Sequence, residues 1–160
     1  MVGLRLPWNP RGLEGASRSP LIMALLLLPL SALADVEPVV RYRQATMKAN
    51  AGHLAALKAI LLEGGEAFLP QAAFHAEAIA KAAPLLPAMF PEGSLSEKSN
   101  ARPEIWKRWD DFTQRAKELE RLSQALLRAL DSGDRKAAAR ALVDLGRNGC
   151  GECHRRYRLD

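Results

Sequence analysis

The sequence predicts an all-α fold, an antiparallel up-down-up-down four-helix bundle, from three observations. Ala and Leu dominate residues 35–160, and β-branched residues are few. Apolar side chains recur at intervals of three, four and seven, the repeat of one helical face. Clusters of Gly, Pro and Asp cut that pattern into four stretches with mostly short connections. Amphipathic helices so joined pack around a shared core, where cofactor sites are built from facing side chains.

The first helix is expected from about Glu37 to Leu62, with Val40, Met47, Ala51, Leu54, Leu57 and Leu61 as its apolar stripe. Gly64-Gly65 ends it. A second helix, from about Leu69 to Pro84 or a little beyond, places Ala72, Ala76, Ile79 and Ala83 on one face. The stretch from Pro84 to Arg102 holds Pro84, Pro87, Pro91 and Gly93 and reads as a long loop. Pro103 suits the first position of a third helix, with Glu104 favourable near its positive end. Ile105, Trp106, Trp109, Phe112, Ala116, Leu119, Leu126 and Leu130 continue the stripe. Asp131-Ser132-Gly133-Asp134 is a turn, and a fourth helix carries Ala138, Ala141, Leu142 and Leu145 and ends around Tyr157.

Residues 1–34 read as an export signal peptide. Arg5, Arg11 and Arg18 form a basic start, Leu21 to Leu30 an apolar run, and Ala32-Leu33-Ala34 a small-x-small cleavage site. The run is shorter than the about 20 residues that span a bilayer. An uncleaved anchor is the alternative, and Pro7 and Pro10 in the long basic region leave room for a start codon further on. Removal leaves residues 35–160, one domain's worth. It also takes away three of 23 Lys/Arg and one of 18 Asp/Glu, lowering the formal charge of +5 by two. Basic and acidic residues interleave, without the block that marks a nucleic-acid surface.

The chemistry concentrates in Cys150-Gly151-Glu152-Cys153-His154, which uses both cysteines of the chain. Cys-x-x-Cys-His is the attachment signature of a c-type haem. Each thiol can add to one vinyl group on a porphyrin edge, and the following imidazole can bind the iron. Two other readings compete. A thioredoxin-like pair belongs at a strand-to-helix junction, and no strand pattern precedes this one. A zinc site needs three or four ligands, and a second half-motif is missing. The expected cofactor is therefore haem c, one per chain, attached through Cys150 and Cys153. Such attachment takes place outside the cytoplasm, which agrees with the leader and with a periplasmic location.

In this topology the end of the fourth helix adjoins the start of the first. His154 should then meet Arg43, Gln44 and Met47 from helix one, Met89 and Phe90 from the end of helix two, and Ile105 and Trp106 from helix three. Arg43 lies one turn before Met47 on the same stripe, where its guanidinium suits a haem propionate. A solvated ion pair with a glutamate is the alternative. Gln44, Ser99 and Asn100 can donate to the same group. Met47 either ligates the iron opposite His154 or only crowds the open face, and Met89 is a weaker candidate. His53 and His75 are read as surface or half-buried structural histidines rather than ligands.

On these residues the chain resembles the class II cytochromes c, the cytochrome c prime family. The resemblance rests on Tyr42 to Met47, Met89 to Gly93, Ala101 to Trp106, and Cys150 to His154 with Tyr157-Arg158. It covers essentially all of residues 35–160. It implies an exported monohaem four-helix bundle, often a homodimer, with propionate contacts from Arg43 and Gln44 and polar groups near Ser99 and Asn100. The family divides into five-coordinate members that bind nitric oxide or carbon monoxide and low-spin members with a methionine ligand. That methionine falls at Met47, and Met47-Lys48-Ala49-Asn50 resembles the low-spin branch. Some five-coordinate members carry an unligated methionine there. Asn100 stands where several relatives have an acid. Arg158 matches a basic residue that borders the proximal face in some gas-binding members.

The function expected is a periplasmic cytochrome that exchanges electrons with redox partner proteins. The rival is a gas scavenger or sensor with the sixth iron position open. No acid–base pair, nucleophile triad or phosphate loop points to an enzyme.

Overall fold

The computed structural model describes residues 36–159, and the expected leader, residues 1–34, lies outside them. Six helices build the bundle: α1 (Val36–Leu62), α2 (Ala72–Ala82), α3 (Glu104–Lys107), α4 (Trp109–Asp131), α5 (Arg135–Asp144) and α6 (Glu152–Tyr157). They form four rods, because α3 leads into α4 and a π-helical segment, Leu145–Gly151, joins α5 to α6. The packed pairs α1–α2, α2–α4, α4–α5 and α5–α1 close a ring around the core. Leu57, Ile79, Leu126, Leu142 and Leu145 lie at its centre, almost wholly out of solvent. Among the described residues no helix is long and apolar enough to cross a membrane.

The turns follow from backbone chemistry. Gly64 and Gly133 adopt the left-handed conformation that glycine alone enters without strain (φ 87° and 72°). Gly65 is needed for space: a Cβ there would stand 2.7 Å from the Ala59 carbonyl oxygen. Asp134 caps α5 by accepting from the Ala137 backbone N–H at 2.9 Å.

Five expectations are refined. Ala51, placed on the core stripe of α1, is exposed, while Arg43 is buried. The second rod starts with a 3-10 segment, Glu66–Gln71, because Pro70 lacks the N–H that an α-helical turn would use there. The long loop begins as two more 3-10 turns, Ala83–Leu85 and Pro87–Met89, which prolong α2 before the chain turns irregular. The third rod is broken at Arg108 (φ −128°, ψ 45°), which turns Trp109 outward to 38% exposure. The fourth rod is α-helical only at its ends, and its middle widens to π geometry.

Candidate functional site

A cavity of about 420 Å³ opens at the bundle end where the sequence brings helix one and the cysteine motif together. Met47 from α1 and His154 from α6 both line it, with Cys153 beside His154. The apolar wall comes from Leu86, Phe90, Ile105, Phe112, Ala116 and Leu119. Its charged and polar lining includes Arg43, Gln44, Lys48, Arg115 and Arg158.

The α1 wall is tied to the loop before α3. Arg43, 4% exposed, donates from its two terminal nitrogens to Ser94 O (3.0 Å), Ser94 Oγ (3.2 Å), Ser99 Oγ (2.7 Å) and Met89 O (3.4 Å). Its guanidinium also lies 4.5 Å from the Phe90 ring centre, a cation–π distance. Burial lowers its pKa from the usual arginine value. One turn of helix thus delivers a cation to an irregular loop, whose buried carbonyls and hydroxyls it satisfies. Gln44 Nε2 donates to Lys98 O at 2.6 Å. Ser99 is buried and also accepts from the Ala101 N–H (3.2 Å), whereas Asn100 is exposed and its carbonyl accepts from the Leu159 N–H (2.7 Å).

That last bond belongs to the clasp holding the C-terminal tail. Arg102 N–H donates to Tyr157 O at 2.9 Å, and Arg102 Nε to Arg158 O at 3.0 Å. Ala101 and Arg158 form an isolated antiparallel bridge. Tyr157 is buried and donates to Asp111 Oδ2 at 2.6 Å. Asp111 in turn accepts from Arg115 Nη2 at 3.3 Å. The Tyr157 hydrogen bond, with Arg115 behind it, holds the Asp111 carboxyl below its usual range. Burial, then that same bond, pushes the Tyr157 phenol up to about 12.

The motif sits where the helix changes form. Gly146, Gly149 and Gly151 fall within the seven residues of the π segment, which also carries Cys150. Glycine weakens α-helical preference, and a π turn is a common device at functional sites. Gly149 is buried, and a Cβ on it would meet Leu119 Cδ1 at 3.0 Å and Leu145 Cδ1 at 3.2 Å. Cys150 and Cys153 are half-buried free thiols. Burial raises both, Cys153 to about 11. Burial, then Arg158, lowers the His154 pKa, so its imidazole is neutral and keeps a lone pair at pH 7.

This donor set fits a porphyrin. The Cys153 thiol, a neutral imidazole and apolar walls face one cavity, with Cys150 three residues before Cys153 and cations and amides available for two carboxylates. Arg115 Nε is buried without a partner on the same cavity. Zinc is less well served, since among the described residues no group of three His, Cys, Asp or Glu is arranged to hold a metal. The dithiol reading lacks its strand: the motif lies inside a helical rod.

Of the residues expected here, Arg43, Gln44, Met47, Ser99, Asn100, Phe90, Ile105, Cys153 and His154 line the cavity. Cys150, Met89 and Trp106 do not, although Met89 lends its carbonyl to Arg43 and Trp106 Nε1 donates to Phe90 O at 3.0 Å. His53 and His75 lie outside it. Arg115, Asp111 and the Tyr157 hydroxyl were not legible as site residues. Asp111 and Arg115 stand four apart on one helix, a common spacing that marks no site, and Tyr157 stands at the expected helix end.

Comparison with known proteins agrees with this geometry. The family profile described as Cytochrome C' matches residues 38–158. Cytochrome c' of Pararhodospirillum photometricum is 37% identical over 126 residues, covering 78% of this chain and 99% of its own. The crystal structure of cytochrome c' from Thermochromatium tepidum superposes with a TM-score of 0.71 at 29% identity, over 78% of this chain and 97% of that one. The nitric oxide complex of the L16A mutant of cytochrome c prime from Alcaligenes xylosoxidans superposes with 0.69 at 29% identity, over 79% and 98%.

Proposed function

The chain belongs to the cytochrome c' family, and from that membership we propose that it is an exported, periplasmic electron carrier. It is a haem c protein, with one haem bound through Cys150 and Cys153. When bound, that group supplies a one-electron iron couple. The chain's residues do the rest. His154 offers its lone pair to the iron from α6, and Met47 offers a thioether from α1. Arg43, Gln44, Ser99 and Asn100 orient the propionate edge, Arg43 by turning part of its loop contact toward a carboxylate. Leu86, Phe90, Ile105 and Phe112 keep water from the ring.

The observation that carries this reading is the presence of Met47 and His154 on one cavity. His/Met ligation raises the reduction potential and leaves no open coordination position, which suits electron exchange with protein partners rather than enzymatic turnover. The export leader, residues 1–34, is part of the same proposal. So is a homodimer, supported by the exposed Leu62, Phe68 and Phe74.

The second reading is a gas-binding protein with an open sixth position, favoured by the nitric oxide complex of the relative from Alcaligenes xylosoxidans. Ferrous spectra before and after carbon monoxide separate the two. The carrier shows a low-spin spectrum that the gas leaves nearly unchanged, and Met47→Ala turns it high-spin. A five-coordinate spectrum that shifts at once with the gas, with no effect of Met47→Ala, assigns the second reading instead.

A further inference from the structure

His53 of α1 and His75 of α2 meet outside the haem cavity, with their Nδ1 atoms 2.9 Å apart. The ring centres are 5.2 Å apart, as far as rings joined by that nitrogen separation can lie. Both nitrogens therefore sit on the line between the ring centres. A collinear N–H···N hydrogen bond requires this arrangement: one ring donates from Nδ1 and the other accepts there. A metal ion shared by both would need lone pairs converging on a point about 2 Å from each nitrogen. A collinear pair offers no such point, whereas a proton fits the line as it stands.

Phe74 stands edge-on to both rings, at 5.9 Å from His53 and 5.3 Å from His75. The charged groups nearby are otherwise engaged or inactive. Glu66, in the 3-10 segment packed on α1, is paired with Arg135 of α5, and Glu77 of α2 is paired with Lys81. Of these, and of Lys136, Arg140 and Asp144 on α5, none perturbs His53, which responds to burial and then to His75. On α1 itself, Ala49, Asn50, Ala56 and Leu57 are its neighbours three and four residues away, and none is charged. The polar and ring contacts of His75 are with His53 and Phe74.

We propose that His53 and His75 form a one-proton latch between α1 and α2, closed with zero or one proton on the pair and opened by the second. With one proton the bond becomes an imidazolium donating to an imidazole, so the contact persists. With two, N–H groups and like charges face each other, and the rings must part. The helix released is the one carrying Arg43, Gln44, Met47 and Lys48 to the cavity. The unfolded chain takes both protons below about pH 6.5, while the closed pair holds one. The unfolded state thus binds more protons under acid, and stability is full above that pH. Below it, the folding equilibrium constant falls by up to about tenfold per pH unit.

The test is nitrogen NMR of the haem-loaded full chain. The wild type should show a scalar coupling between the two Nδ1 atoms through the hydrogen bond at pH 7. The pair should then titrate in two steps, the second proton binding at least about tenfold more weakly than to the surviving histidine in H53N or H75N. The coupling needs no variant, so a poorly folding substitution leaves the experiment intact. Absence of the coupling, or two independent titrations that ignore replacement of the partner, would overturn the latch.

Discussion

On one wall of the cavity a regular helix, α1, sends a single long cation across to an irregular loop. On the other, the backbone itself departs from the α-helix, over a segment with three glycines. Arg43 gathers four hydrogen bonds from residues 46 to 56 positions away. The π segment carries Gly146, Gly149 and Gly151 instead, and Gly149 packs closely against Leu119 and Leu145. The difference follows from what each wall must present. The α1 wall needs only the side chains that one helical face already presents, Arg43, Gln44, Met47 and Lys48. The α6 wall must present residues from a five-residue motif to one face, so the chain path carries the precision.

Removing the cation should break the first wall and cost most. Arg43→Met keeps the apolar stem but leaves buried Ser94 and Ser99 without their donor. Hydrogen bonds to charged groups and stranded buried acceptors together suggest a loss of about 3 kcal/mol, read by urea unfolding of the haem-loaded protein. An unchanged unfolding midpoint would mean that the loop does not depend on Arg43.

A pair of glycine substitutions sharpens the comparison. Gly149→Ala places a methyl 3.0 Å from Leu119 Cδ1 and 3.2 Å from Leu145 Cδ1. The crowding should outweigh the gain in helix preference and destabilise by about 1 kcal/mol net. Gly52→Ala, exposed in α1 with nothing within 4 Å of the new Cβ, should stabilise by about 0.7 kcal/mol. Opposite shifts in thermal midpoint are the expected result. Stabilisation by both would show that the π segment tolerates ordinary helix.

An effect comparable to those of the glycine pair belongs, at neutral pH, to the tail clasp. Tyr157→Phe should cost about 1 kcal/mol, the typical net worth of one hydrogen bond. Its signature is alkaline. The wild-type phenol is held up to about 12, while an unfolded tyrosine titrates near 10. The bond's contribution is therefore complete below pH 10 and lost as pH rises toward 12. The stability difference between wild type and variant should shrink across that window. At the acid end the depressed Asp111 carboxyl gives stability that is present above its ordinary value and lost as pH falls through its folded one.

The amino-acid sequence by itself determined the four rods, the glycines that end α1, the turn at Asp131 to Asp134 before α5, and the meeting of Met47 with the cysteine motif. These depend on local periodicity, on φ preferences and on chain order in an up-down bundle, all readable along one dimension. Only the tertiary structure decided which partners meet: Arg43 with Ser94 and Ser99, Tyr157 with Asp111, His53 with His75, and Gly149 with Leu119. A helical repeat states which way a side chain faces but not what stands opposite it. That depends on the axial slide and rotation of one rod against another, set by packing residues far apart in the chain.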